Sequence, residues 1–329
     1  MMPAGKRCPY TGMMCGEGTT PAAITPKEKP LVEAVNPAVT AAPATSSKRK
    51  SVTASNIDLS KYVHRQFYDM EDFTMFRKAY NAPIPKWILA YGPKGSGKSF
   101  PFEAFAQSEG IEYFPANMNG GITPEGLIGQ WVPLTNGGFA WSDGILTRVV
   151  RNGGLIVVEE INAAPREATF AFHSLGDNKR CLVLVEKDGE VVKAHPKFWL
   201  CATMNPDYAG TQTLNEALRD RFSLQIPVNY DIALEKAILT DKYIAAFAKS
   251  LRNPRAAGKF PDISTRQLLF LQDNKARFGS RVAYQLFVNA VGGDNASKEA
   301  LRMFGETANV FNSATIETLE REVNNLMGI

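Results

Sequence analysis

Lys98 and Ser99 close the segment Gly92-Pro93-Lys94-Gly95-Ser96-Gly97-Lys98-Ser99, in which a GxxxxGK spacing is followed by a hydroxyl residue. Glycines at 92, 95 and 97 let the backbone bend until its N–H groups converge, and Lys98 adds a cation. Such a loop serves to bind phosphate oxygens, with Ser99 holding Mg²⁺ through its hydroxyl. Two adjacent carboxylates, Glu159 and Glu160, end the apolar run Leu155–Val158. One would organise a hydrated Mg²⁺ and the next would orient an attacking water, the division of labour that nucleoside triphosphate hydrolysis requires. Asn205 ends a second apolar run, where its amide could hydrogen-bond a γ-phosphate or the lytic water, although Asn-Pro also simply starts a turn. Arg219 and Arg221 stand just before a further apolar segment. A guanidinium there suits stabilisation of a γ-phosphate bound by a neighbouring subunit, while a surface salt bridge is the plainer reading and the preferred one for Arg219.

These residues need rigid elements behind them. The apolar run Trp87–Tyr91 reads as a strand leading straight into the loop, and Phe102–Gln107 as the helix that follows, with Pro101 tolerated in the first turn. Phe67, Phe73, Phe76 and Tyr80 predict a helix ahead of that strand. Further strands are expected at Ile111–Pro115, Leu155–Val158, Phe198–Ala202 and Phe222–Ile226, separated by helical or inserted segments. Alternating strands and helices imply an α/β fold, a parallel sheet covered on both faces. Asn136-Gly137 and Asp188-Gly189 lie between short apolar runs and predict two β-hairpin inserts. After Tyr230 the β signal ends, and Ala233–Leu239, Arg266–Ala276, Arg281–Ala290 and Ala314–Leu326 read as amphipathic helices. The expected organisation is an N-terminal arm over 1–55, a nucleotide-binding core over 56–230 and a small helical domain over 231–329. No internal repeat is visible.

Composition narrows the functional classes. With 329 residues and 44% hydrophobic content the chain can bury a large core. No apolar run reaches the roughly 18 residues needed to span a bilayer, and no secretory signal pattern opens the chain, so the expected location is cytoplasmic, with no membrane partner. Residues 1–55 carry seven Lys/Arg against three Glu, leaving thirty charges of each sign in the remainder. That balance argues against a nucleic-acid groove built on bulk charge. Residues 16–55 are rich in Ala, Pro, Thr and Ser and lack aromatics, which predicts a flexible arm, with Lys48-Arg49-Lys50 as a solvated cluster within it. Cys8 and Cys15 lack the partners a zinc site needs, and Cys201 lies in an apolar run where burial explains it.

Taken together, the ordered motifs resemble the AAA+ ATPases, and within them the MoxR-type branch with its CobS-, CbbQ- and NorQ-like members. The likeness runs from about Val63 to Arg281. It rests on GPKGSGKS at 92–99, DGIL-x-RVVRNGGLIVVEEIN at 143–162, AHPKFWLCATMNP at 194–206, YAGTQTLNEALRDRF at 208–222 and Ser264-Thr265-Arg266. The resemblance implies ATP and Mg²⁺ as cofactors, residues 92–99 as the Walker A loop with Lys98 and Ser99 as its working pair, and Glu160 as the catalytic Walker B carboxylate. It likewise implies Asn205 as sensor 1, Arg221 as an arginine finger and Arg266 as sensor 2 on the lid. Glu159 stands where the family usually has Asp, and its extra methylene shifts the outer shell of the metal. The two hairpins match the helix-2 insert and pre-sensor hairpin of this branch. A ring, of six subunits by analogy, is implied, as is a protein client, such as a metalloenzyme or a complex containing a von Willebrand factor A domain. A nucleic-acid motor and the ATPase subunit of a cobalt or magnesium chelatase are the alternatives. No Asn-Lys-x-Asp segment appears where a guanine-reading GTPase would need it.

Overall fold

The computed structural model describes residues 56–118, 123–164, 166–206, 213–252 and 262–293, with Asn295, Glu299 and Leu301. The expected arm over 1–55, with Cys8, Cys15 and Lys48–Lys50, and the expected helix Ala314–Leu326 lie outside these residues. Among the described residues a short 3-10 turn at Leu59–Lys61 is followed by a small hairpin of β1 (Gln66–Phe67) and β2 (Met70–Glu71), then α1 (Asp72–Tyr80) and β3 (Ile88–Tyr91). Helix α2 (Phe100–Glu109), strand β4 (Tyr113–Asn117) and helix α3 (Pro124–Ile128) lead to a hairpin of β5 (Gly129–Pro133) and β6 (Phe139–Asp143). Helix α4 (Ile145–Asn152), strand β7 (Gly154–Glu159) and helix α5 (Arg166–Gly176) precede a third hairpin of β8 (Cys181–Leu184) and β9 (Glu190–Lys193). Strand β10 (Phe198–Met204), helix α6 (Glu216–Arg219) and strand β11 (Leu224–Pro227) complete the sheet, and α7 (Ile232–Ile238), α8 (Lys242–Leu251), α9 (Thr265–Phe278) and α10 (Ser280–Ala290) follow.

The five-stranded sheet has the order β11-β3-β10-β7-β4, and every neighbouring pair is parallel. Parallel strands need crossovers, and helices supply them on both faces. Strands β7 and β10 therefore carry apolar side chains facing both ways, and all seven residues of β10 are buried. One face gathers Leu89, Ile156, Val158, Leu200 and Ala202 with Leu146 and Phe172 of α4 and α5. The alternate residues Ile88, Ala90, Leu155, Val157 and Trp199 pack on Phe76, Phe102 and Phe105 of α1 and α2. A separate core, including Phe247, Leu268 and Phe287, holds α7 to α10 together. Cys201 is fully buried, and that burial pushes its thiol well up, so it packs as an apolar residue.

Three expectations need correction, the first being that the last strand runs Leu224–Pro227 rather than Phe222–Ile226, because the turn after α6 still holds Phe222, whose N–H donates to the Arg219 carbonyl. Phe67 lies in β1 rather than in the first helix, which starts only at Asp72. The chain turns back through Tyr68 and Asp69, both at positive φ (51° and 61°), a turn that lacks the usual glycine or Asn-Gly signal. The second strand runs Tyr113–Asn117, two residues later than Ile111–Pro115, because α2 ends in a left-handed cap at Gly110 and Ile111 returns its N–H to Ala106.

Candidate functional site

Parallel registration sets the site. Met204 pairs with Tyr91 and Asn117 with Glu159, so the loop after β3, the carboxylates after β7 and Asn205 after β10 all leave the same, C-terminal edge of the sheet. That edge is where ligands of open parallel sheets bind. Gly92 donates its N–H to the Met204 carbonyl at 3.2 Å and lies under the Val228 carbonyl, which a Cβ at this position would strike. Gly95 has φ +66°, and a Cβ there would come within 2.7 Å of Ser264 Cβ. The loop thus passes directly beneath the start of α9. Only glycine permits that approach.

Lys98 is 9% exposed. Its Nζ donates to the Gly92 carbonyl at 3.0 Å, to the Pro93 carbonyl at 2.7 Å and to Asn205 Oδ1. Asn205 Nδ2 donates onward to Glu160 Oε1 at 3.1 Å. A cation, an amide and a carboxylate therefore form one hydrogen-bonded chain across three strand ends. Burial pushes the Lys98 ammonium down to about 8; Glu160 and Glu159 oppose that shift and Arg266 adds to it. Glu160 adopts a left-handed conformation (φ 54°, ψ 47°) and its N–H reaches Thr203 Oγ1 at 3.3 Å. Non-glycine residues rarely hold that geometry outside sites whose surroundings impose it. Asn162, 5% exposed, donates from Nδ2 to the Asn205 carbonyl at 3.0 Å and so braces the same chain.

Ser99 stands at the N-terminus of α2 with its hydroxyl free of any capping bond. Glu159 is half-buried at the end of β7, in register with Asn117 on β4 and separated from β3 by β10. Among the described residues no cluster of three or more His, Cys, Asp or Glu could hold a metal alone. A cleft of about 310 Å³ opens beside the loop, lined by Gly92, Lys94 and Asn205 and, across it, by Asp262, Gly292 and Gly293.

Arg266 is exposed in the first turn of α9, and its Cβ would lie 3.3 Å from a Cβ on Gly95. A network that sequence reading missed fixes that turn. Glu235 of α7, 1% exposed, accepts from Arg252 Nη2 and Thr265 Oγ1, both at 2.6 Å, and Arg252 Nη1 reaches the Ile263 carbonyl at 2.9 Å. The Arg252 guanidinium also stacks 4.0 Å over the Tyr230 ring, whose hydroxyl donates to the Lys94 carbonyl at 3.0 Å. The bonds from Arg252 Nη2 and Thr265 fall on Glu235 Oε1 and Arg252 Nε donates to Oε2 at 3.0 Å, and burying the carboxylate is tolerable only because both its oxygens are paired. No local pattern marks Glu235 as buried, since its partners come from 17 and 30 residues away.

Arg221 is not part of this assembly. It lies with Lys86, Trp87 and Ser223 around a different cleft, at the start of β3 rather than after its end. Its Nε donates to the His173 carbonyl at 2.9 Å and its Nη2 to Asp177 Oδ1 at 2.7 Å. Arg219 is exposed, and among the described residues its side chain donates to Gln225 Oε1 at 2.9 Å, a surface hydrogen bond to a neutral amide.

The two larger hairpins form as expected, with Gly137 (φ +83°) and the pair Asp188 (φ +51°) and Gly189 (φ +71°) at their turns. Trp131 Nε1 donates to the Glu186 carbonyl at 2.9 Å and ties one to the other. Trp141 is half-buried, whereas Trp131 and Phe139 are 46% and 68% exposed. No helix among the described residues is long and apolar enough to cross a membrane.

Comparison with known proteins agrees with this fold. The AAA domain (dynein-related subfamily) profile matches residues 88–222. Protein CbbQ of Hydrogenophilus thermoluteolus is 30% identical over 213 residues, covering 61% of this chain and 77% of that protein. Protein NorQ of Paracoccus denitrificans is 31% identical over 153 residues, 46% of this chain and 55% of its own. Midasin of Dictyostelium discoideum is 36% identical over 137 residues, 41% of this chain; the chain spans only 2% of Midasin's length. The match over 88–222 takes in the loop, both carboxylates, Asn205 and Arg221. This chain belongs to the AAA+ ATPases, in the dynein-related, MoxR-type group that includes CbbQ, NorQ and NirQ.

Proposed function

We propose that the chain is the ATP-hydrolysing subunit of a ring, of about six copies, that remodels or activates a partner protein. The observation that carries this reading is the Lys98–Asn205–Glu160 hydrogen-bonded chain at the C-terminal edge of the sheet, with Arg221 on a different side of the subunit. In this reading the N–H groups of 92–99 and Lys98 hold the β- and γ-phosphates, and Asn205 positions the γ-phosphate. Glu160 takes the proton of the attacking water, and Arg266 meets the nucleotide from a lid formed by the helices after Tyr230. Ser99 and Glu159 would hold Mg²⁺, the first directly and the second through water, and the ion would neutralise charge on the phosphates. Arg221 completes the site of a neighbouring subunit.

A protein client suits the exposed Trp131 and Phe139 on the paired hairpins better than nucleic acid does, because charge outside 1–55 is balanced. A von Willebrand factor A domain protein is the client class to try first. The nucleic-acid motor would instead show steeply salt-dependent DNA or RNA binding and stimulated hydrolysis. The chelatase alternative requires stimulation by a chelatase catalytic subunit. The ring itself is tested by weighing the Glu160→Gln protein with ATP and Mg²⁺. A mass about six times that of one chain is expected, and a monomer at every concentration and nucleotide state would end the between-subunit reading.

Lys98 also makes nucleotide affinity depend on pH. Its ammonium, held down to about 8 in the free site, must be protonated against phosphate, which raises its pKa on binding. The stabilisation is therefore complete below about pH 8, the value of the free site, and falls progressively above it until the raised pKa of the bound state is passed. We expect the ATP dissociation constant to climb by up to about tenfold per pH unit above 8, measured by titration between about pH 7 and 9.5. A flat profile would show that Lys98 keeps its ordinary basicity.

A further inference from the structure

Arg65 precedes β1 in sequence and lies outside the region matched by the AAA profile, yet it reaches the phosphate loop. It is 6% exposed. Its Nη2 donates to the Ser96 carbonyl and its Nη1 to the Asn229 carbonyl at 3.2 Å. A Cβ on Gly97 would lie 3.3 Å from Nη2, so the guanidinium is set against the peptide that joins Ser96 to Gly97.

The backbone of Arg65 is itself bolted down. Its N–H donates to Asp72 Oδ2 at 3.1 Å and its carbonyl accepts from the Asp72 N–H at 2.9 Å. Asp72 is fully buried, and its carboxylate is also paired with the Tyr62 hydroxyl at 2.6 Å and His64 Nδ1 at 2.8 Å. A long side chain anchored this firmly at its root loses little further freedom in reaching the loop.

Peptide planarity gives the contact a consequence. In a trans peptide the C=O and the following N–H point in opposite directions. Holding the Ser96 carbonyl on the Arg65 side therefore turns the Gly97 N–H to the other side, and it also keeps a partial negative charge away from bound phosphate. A loop with three glycines lacks the stiffness to keep that orientation without an external tether. The second bond, to Asn229, links the same guanidinium to the segment between β11 and α7, where the helices after the sheet begin.

We infer that Arg65 is a positioning residue for the phosphate loop, fixing the Ser96–Gly97 peptide so that its N–H meets the nucleotide, and tying that peptide to the base of the helical segment. This rests on residues 92–99 being the nucleotide site. The test uses the full chain as wild type, Arg65→Met and Arg65→Lys. It measures KM and kcat for ATP, ADP affinity by titration, and melting temperature without nucleotide. Arg65→Met should raise the KM for ATP and weaken ADP by a similar factor of about tenfold or more, with kcat at saturation within about threefold. Arg65→Lys, which keeps a donor but loses the fork, should fall between the two. Unchanged KM well below the melting transition, or a loss confined to kcat, would overturn the proposal, the former even if the variant melts lower. If Arg65→Met does not fold, Arg65→Lys decides by the same split. Wild-type protein that failed to respond to nucleotide would instead remove the phosphate site, a distinct outcome.

Discussion

Glu160→Gln should leave ATP bound and cut kcat by about 10² to 10⁴, the range set by losing a positioned general base. The substitution is nearly isosteric, and the left-handed backbone at residue 160 is no harder for glutamine than for glutamate. Glutamine's amide oxygen can still accept from Asn205 Nδ2, the 3.1 Å bond that links residue 160 to Lys98. What it cannot do is take a proton from water. Binding and chemistry should therefore separate: tight retention of ATP on a filter or in a titration, with phosphate release near background. Turnover at the wild-type rate would remove Glu160 from its proposed role and leave Glu159 as the carboxylate to examine. The retained-ATP form is also the one in which a ring and a client should be most persistent, because release follows hydrolysis.

The parts of this site that could be read from the sequence are those whose signals are local. The loop is a spacing of glycines and a lysine, the carboxylates and Asn205 end apolar runs, and the hairpin turns carry Asn-Gly and Asp-Gly. Each of these is decided within about ten residues of chain. Arg65 was not legible, because its two acceptors lie 31 and 164 residues away and nothing around it repeats with a strand or helix period. Asp72 and Glu235 look like ordinary surface acids at helix starts, and only tertiary pairing with Tyr62 and His64, or with Arg252 and Thr265, shows why they are buried. The β1–β2 turn escaped notice for a different reason. Tyr68 and Asp69 take positive φ where glycine would have announced it, so the packing around Phe67 overrides local preference.

Arg221→Ala should abolish most hydrolysis, by about 10³-fold or more if Arg221 serves as an arginine finger, and should do so through the neighbouring subunit. Within its own subunit Arg221 is separated from the loop by at least the length of β3, roughly 13 Å for four residues. To act in trans it must leave Asp177 and the His173 and Ala217 carbonyls, and its own side chain is 21% exposed against 54% for Asp177. Releasing one part-exposed ion pair and two hydrogen bonds costs about 1–4 kcal/mol, which the roughly 4 kcal/mol that a 10³-fold rate effect represents offsets when a γ-phosphate is within reach. The same energetics predict rescue. An Arg221→Ala subunit keeps Glu160, and a Glu160→Gln subunit keeps Arg221, so mixing two inactive proteins rebuilds complete sites wherever the right pair of faces meets. At equal amounts and random assembly about one interface in four is complete, and activity should recover toward a quarter of the wild-type rate. If Arg221 only ties α5 to α6 through the His173 and Ala217 carbonyls, the variant should melt at a lower temperature and no mixing ratio should restore turnover. That result would leave the arginine with a structural role and the between-subunit site without its cation.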